Sequence, residues 1–207
     1  MVRNAVSCPA VADRAFLLLH GFSHHRLPEH WQYWLAYRLR DRGETAHYPG
    51  LPFEDEPRYA EWAEALRWLL RQTADARERI VICNSMSGLL WMYFAREFLD
   101  EFEPVDRILM VSPPDPGALP EAASDFLGRE VDGPAVRATA RTTIRIANSE
   151  ADPFNPTGGG EMYGEALGAD FDLIERGGHI GPADGYGPWP AVEAWCLDGR
   201  ERLVANP

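Results

Sequence analysis

The stretch Ile80-Val81-Ile82-Cys83-Asn84-Ser85-Met86-Ser87-Gly88-Leu89-Leu90-Trp91-Met92-Tyr93 changes character at its serine. Ile80 to Cys83 is a continuous apolar run of strand length, the pattern of a strand covered on both faces. Leu89 to Tyr93 continues apolar for longer and reads as a buried helix. A strand that turns sharply into a helix through a serine is the setting of a nucleophile elbow, where the residues two before and two after the serine must be small because backbones crowd there. Cys83 and Ser87 are small, but neither is the usual glycine. Ser85 also has a plainer reading as a helix N-cap, so the rest of the chain has to decide.

Outward from this stretch, further apolar runs predict strands at 14–20, 44–48, 79–84, 106–112 and 142–148, with a weaker one at 171–175. Helical stripes lie between them, one through Trp31, Trp34, Leu35 and Leu39 and another through Tyr59, Trp62, Leu66, Leu69 and Leu70. Strands alternating with helices predict an α/β fold with a mostly parallel central sheet flanked by helices. A chain of 207 residues fits a single domain over 1–207. The Pro-, Gly- and acid-rich segment 113–134, with a short helical pattern at Phe126-Leu127, is too short for a full cap domain and predicts a partial cover. Gly158-Gly159-Gly160 reads as a flexible connection to a helix near Glu161–Leu167, and Tyr186 to Trp189 as a turn anchoring the last helix.

The formal charge of −12 argues against nucleic-acid and anionic-membrane partners, both of which need a basic surface. All 20 basic side chains are Arg, which excludes Lys Schiff bases, Ser-Lys dyads and the P-loop lysine. Cys8, Cys83 and Cys196 are odd in number and lack metal-ligand spacing, so neither a disulfide framework nor a cysteine zinc site is expected. The Phe16-Leu17-Leu18-Leu19 run passes straight into His20-Gly21, and neither a signal peptide nor a membrane span is expected. These features predict a cytoplasmic protein acting on a small molecule without a cofactor; they leave oligomeric state open.

Partners for Ser85 are found at other strand ends. His20-Gly21-Phe22 closes the first strand, and an oxyanion hole would combine the Phe22 amide with that of Met86, the residue after the serine. Asp152 follows the strand 142–148 in a polar, proline-containing turn, and His179 lies in the loop Gly177-Gly178-His179-Ile180-Gly181. The order Ser85, Asp152, His179 suits a nucleophile, an orienting acid and a general base. Glu150 and Asp115 are rival acids, and Cys83 reads as a buried inert thiol rather than a rival nucleophile. His24, His25 and Arg26 are candidates to line the substrate entrance or equally form a solvated loop. Trp31 is a further candidate contact, although its stripe reads first as core. His20, His24, His25 and His30 lack carboxylate or thiol partners at useful spacing, and no metal is expected.

His20-Gly21, the Trp31 and Trp34 helix, Pro49-Gly50-Leu51-Pro52, Asn84-Ser85, Val111-Ser112-Pro113, Asp152-Pro153-Phe154-Asn155-Pro156 and Gly178-His179 run most of the chain's length. In these marks the chain resembles the retinoblastoma-binding-protein-nine-like, or YdeN-like, small serine hydrolases. The resemblance implies a single-domain α/β-hydrolase with Ser85, Asp152 and His179 as triad. Two departures stand out: Cys83 and Ser87 replace the elbow glycines, and Gly88 follows one place later. No Leu-x-Cys-x-Glu motif is present, so the partner in the family's name is not expected. The expected function is hydrolysis of a carboxylic ester or thioester through an acyl-enzyme on Ser85. Its alternatives are non-hydrolytic chemistry on the same fold, such as acyl transfer, cyclisation or a lyase reaction, and an inactive binding protein.

Overall fold

Six parallel strands form one sheet in a computed structural model that describes residues 13–206. Expectations for residues 1–12, Cys8 among them, lie outside the described residues. The strands are β1 (Arg14–Leu19), β2 (Thr45–His47), β3 (Glu78–Asn84), β4 (Val105–Val111), β5 (Ala140–Asn148) and β6 (Asp170–Leu173). Each lies within two residues of its predicted limits. Their spatial order is β2-β1-β3-β4-β5-β6, with every adjacent pair parallel.

The helices are α1 (Trp31–Asp41), α2 (Tyr59–Gln72), α3 (Met86–Phe98), α4 (Gly133–Ala138), α5 (Gly159–Leu167) and α6 (Pro190–Asp198). They cover both faces of the sheet, which is why the central strands are apolar without interruption. Leu17, Leu19, Val81, Cys83, Ile108 and Met110 pack with α2 and α3 on one side. Phe16, Leu18, Ile80, Ile82, Leu109 and Val111 pack with α1 and α6 on the other. The alternation of these two sets along each strand is the two-residue period of a pleated chain.

Two local readings change. α5 begins at Gly159, so Gly159 and Gly160 belong to the helix instead of a connection. A side chain at Gly160 would collide with the Asn148 amide, and this packing accounts for a glycine inside the first turn. Segment 113–134 forms two short 3-10 turns, Pro116–Ala118 and Glu121–Phe126, before α4. Ala123 and Phe126 are pinned in the core, so the segment is anchored to the body of the fold.

The strand order reverses at β1 and β3. Adjacent parallel strands whose connections run to opposite sides leave a crevice at their carboxyl ends, the place where open α/β sheets bind ligands. Gly21 follows β1 there and Ser85 follows β3.

Candidate active site

Ser85 joins β3 to α3 at φ 54° and ψ −125°, a backbone region that costs a non-glycine residue about 1–3 kcal/mol. Ser85 N donates to the Val111 carbonyl at 2.8 Å, fixing the turn to the end of β4. Although it occupies the N-cap position, its side chain makes no capping hydrogen bond. The hydroxyl instead lies 2.9 Å from His179 Nε2. The plain N-cap reading therefore loses to one in which the hydroxyl is held out of the helix.

The two missing glycines have different replacements. Cys83 is fully buried on β3, and burial pushes its thiol far above the usual range. Ser87 is also fully buried; its Oγ accepts from Asn84 N at 2.9 Å and lies 2.8 Å from the Leu19 carbonyl and 2.9 Å from the Asn84 carbonyl. One hydroxyl proton serves one of those carbonyls at a time. The close approach that a glycine permits occurs at Gly88, where an added Cβ would stand 3.0 Å from Pro113 Cβ.

His179 Nδ1 lies 2.9 and 3.0 Å from the two Asp152 carboxylate oxygens. The Asp152 side chain is fully buried, while His179 keeps 24% exposure. Asp152 Oδ1 also accepts from Phe154 N at 2.9 Å, which orients the carboxylate. The Phe154 ring rests against His179 with centroids 4.7 Å apart. The rival acids are engaged elsewhere: Glu150 accepts from Arg176 N, and Asp115 accepts from Gly117 N and the Thr157 hydroxyl.

On the β1 side, Gly21 brings the chain against Ser85, and Phe22 packs partly buried beside the α2–α3 core. Met86 begins α3, so its amide is among the first-turn donors without an intrahelical acceptor. The loop is held by its neighbour around residue 50. Leu51 N donates to His20 Nε2 at 2.7 Å, while His20 Nδ1 lies 2.8 Å from the Gly21 carbonyl. Ser23 N donates to the Glu54 carbonyl at 2.7 Å. His20 is neutral here, since burial lowers its pKa and its Nε2 lone pair is already used.

The three expected substrate contacts part company. Trp31 is fully buried in the α1–α6 core and does not line an open site. Its Nε1 donates to the Ile180 carbonyl at 3.0 Å, so it acts on the loop that carries His179. His24 is buried between His20 and His30, with ring centroids 5.5 and 4.1 Å away. Burial lowers the pKa of His24 to about 2 and that of His30 to about 3. His25 is exposed and pairs with Asp55 at 3.1 Å. Among the described residues, no group of three His, Cys, Asp or Glu is placed to hold a metal. No helix among them is long and apolar enough to cross a membrane.

The sequence offered no sign of the Ser87 hydroxyl's hydrogen bonds, of Phe154 against His179 or of the His20 clamp. Only Phe154 had a usable signal, an aromatic residue two places after the candidate acid.

A family model described as serine hydrolase matches residues 16–197. No match is found among curated proteins. Among solved structures, the chain is similar to the ydeN gene product of B. subtilis, with 18% identity, TM-score 0.77, and coverage of 89% of this chain and 97% of that one. A protein named as a YdeN-like hydrolase from Pectobacterium atrosepticum follows at 16% identity and TM-score 0.67, covering 88% of each chain. Est1E from Butyrivibrio proteoclasticus, solved with ferulic acid bound, has 15% identity and TM-score 0.63, covering 92% of this chain and 90% of that one. At these identities the likenesses establish the α/β-hydrolase fold.

Proposed function

Because the chain belongs to the serine hydrolase family, we propose that it cleaves a carboxylic ester or thioester of a small molecule through an acyl-enzyme on Ser85. The observation that carries this reading is the hydrogen-bonded series Asp152, His179, Ser85 ending on a strained serine.

In this reading His179 Nε2 takes the hydroxyl proton as Ser85 Oγ attacks the substrate carbonyl carbon. Asp152 holds Nδ1–H and stabilises the imidazolium without itself taking the proton. The oxyanion of the tetrahedral intermediate is met by the Phe22 and Met86 amides, donors fixed before the reaction begins. Collapse breaks the bond to the alcohol or thiol, which leaves with the proton from His179. Water then gives a proton to His179 and attacks the acyl carbon, and the second collapse returns that proton to Ser85 and frees the carboxylic acid.

The test is turnover of p-nitrophenyl esters and coenzyme A thioesters of graded chain length, with fluorophosphonate labelling read by peptide mass spectrometry. Ser85→Ala is expected to lose labelling and roughly 10⁴–10⁶-fold in kcat, and Asp152→Asn roughly 10⁴-fold. Labelling that persists in Ser85→Ala assigns the nucleophile elsewhere. A labelled wild-type enzyme that turns over neither series, or whose product lacks solvent oxygen in H₂¹⁸O, rejects hydrolysis.

A further inference from the structure

At the opposite end of the sheet a cavity of about 200 Å³ opens between the C-terminal ends of α2 and α3. Its apolar wall includes Leu70, Phe94 and Phe102, and its cationic lining is Arg67, Arg71 and Arg79. Arg79 is the second residue of β3 and Ser85 follows the last, which separates cavity and serine by roughly 20 Å of strand.

Arg79 is the unusual member. It is only 4% exposed, yet its guanidinium donates to neutral acceptors alone: Thr73 Oγ1 at 3.4 Å, the Leu70 carbonyl at 3.2 Å and the Glu103 carbonyl at 2.9 Å. Among the described residues no carboxylate lies within 4.0 Å of it. The nearby acids are turned to other partners. Asp106 accepts from the Arg79 backbone amide and faces Arg141, and the Glu103 carboxylate lies 3.7 Å from Arg141. Burial, and after it the Arg141 charge, draws the Arg79 pKa down against the opposing pull of Asp106 and Glu103.

Arg67 adds a second unmet donor. Its terminal nitrogens pair with Glu64 at 3.1 Å and Glu101 at 2.7 Å and its guanidinium lies 4.4 Å over the Phe98 ring, but its Nε is buried without a hydrogen-bond partner. A buried cation and a buried orphan donor beside an apolar hollow form the complement of a carboxylate on a hydrocarbon body. The planar fork of a guanidinium matches a carboxylate two atoms to two. Size and charge narrow the class. The volume is below the roughly 300–1,000 Å³ of drug-sized pockets, and Glu101 and Glu103 at the rim disfavour a polyanion.

We propose that this cavity is a second ligand site that takes a small apolar monocarboxylate, of benzoate or hexanoate size, on the Arg79 and Arg67 guanidiniums. The site stands apart from the chemistry at Ser85 and does not rest on it.

The test is titration of the ¹⁵N-labelled full chain carrying Ser85→Ala with benzoate, and with benzyl alcohol as the uncharged counterpart. Benzoate is expected to shift the Leu70, Ala74 and Phe102 amides saturably with a Kd of about 1 mM or tighter, and benzyl alcohol to bind at least about tenfold more weakly. Arg79→Met should abolish the shifts. Arg71→Glu and Ala74→Trp, both at exposed positions, should weaken binding several-fold and abolish it, and they carry the test if Arg79→Met does not fold. No saturable shift, equal binding of the alcohol, shifts centred on residues 85 and 179, or unchanged binding in Ala74→Trp would overturn the proposal.

Discussion

A Cβ on Gly21 would stand 2.7 Å from the Cβ of Ser85 and 3.2 Å from its Oγ. No real Cβ tolerates the first distance, so Gly21→Ala must move either the loop bearing Phe22 or the serine turn. Overpacking of this kind costs about 1–3 kcal/mol, and a displacement of about 1 Å between reacting groups costs roughly 10²-fold in rate. The variant is expected to keep its fold and lose at least about 10²-fold in kcat/KM. Full activity with ester substrates would show that the two loops separate freely.

Ser87 makes a stability prediction independent of catalysis. Its hydroxyl is the acceptor for the buried Asn84 amide and reaches the end of β1. Ser87→Ala leaves that amide without its acceptor, a loss of about 1–3 kcal/mol. Ser87→Gly, which restores the residue usual at an elbow, should be worse by a further 0.5–1 kcal/mol or about that, because glycine is costly inside a helix. Urea midpoints measure both; a glycine variant more stable than the alanine variant would contradict the assignment.

The sheet was legible because both its faces are covered. Strands such as Ile80 to Cys83 need apolar side chains on each face, and that requirement is written as an uninterrupted run. The placing of Ser85, Asp152 and His179 at strand ends was legible for a related reason, since each follows a strand-like run, and their side chains meet within 2.9–3.0 Å. What was not legible depends on loops meeting across the crevice. Leu51 reaches His20 over 31 residues, and Trp31 reaches Ile180 over 149. Neither contact leaves a local pattern. Trp31 illustrates the limit, because a stripe of large aromatic residues says that a face is buried without saying which loop its polar tip will hold.

Trp31→Phe tests that tip. Phenylalanine keeps an aromatic ring in the core but removes the indole N–H, leaving the Ile180 carbonyl without this donor. The unmet carbonyl and the lost ring volume should together cost about 2–4 kcal/mol. Because Ile180 adjoins His179, kcat is expected to fall more than KM changes. A variant that is destabilised with kcat untouched would confine Trp31 to packing.

Three buried histidines should make the fold acid-sensitive. Burial is the main cause that lowers the pKa of His20, His24 and His30, to about 2 for His24 and about 3 for His30. Geometry agrees: each ring offers a nitrogen lone pair to a backbone amide, those of Leu51, Arg26 and Gln32. Well above pH 6.5, the ordinary value of a histidine, all three are neutral in both folded and unfolded chains and contribute no pH dependence. Below it the unfolded chain takes up protons that the native state refuses, so stability falls with pH, by up to about 1.4 kcal/mol per pH unit for each histidine. Urea unfolding followed from pH 6.5 downward should show that slope, and His24→Gln should reduce it by about one proton's worth, roughly 1.4 kcal/mol per pH unit. A flat profile across that range, or an unchanged slope in His24→Gln, would mean that the imidazoles are hydrated or reorganise on protonation.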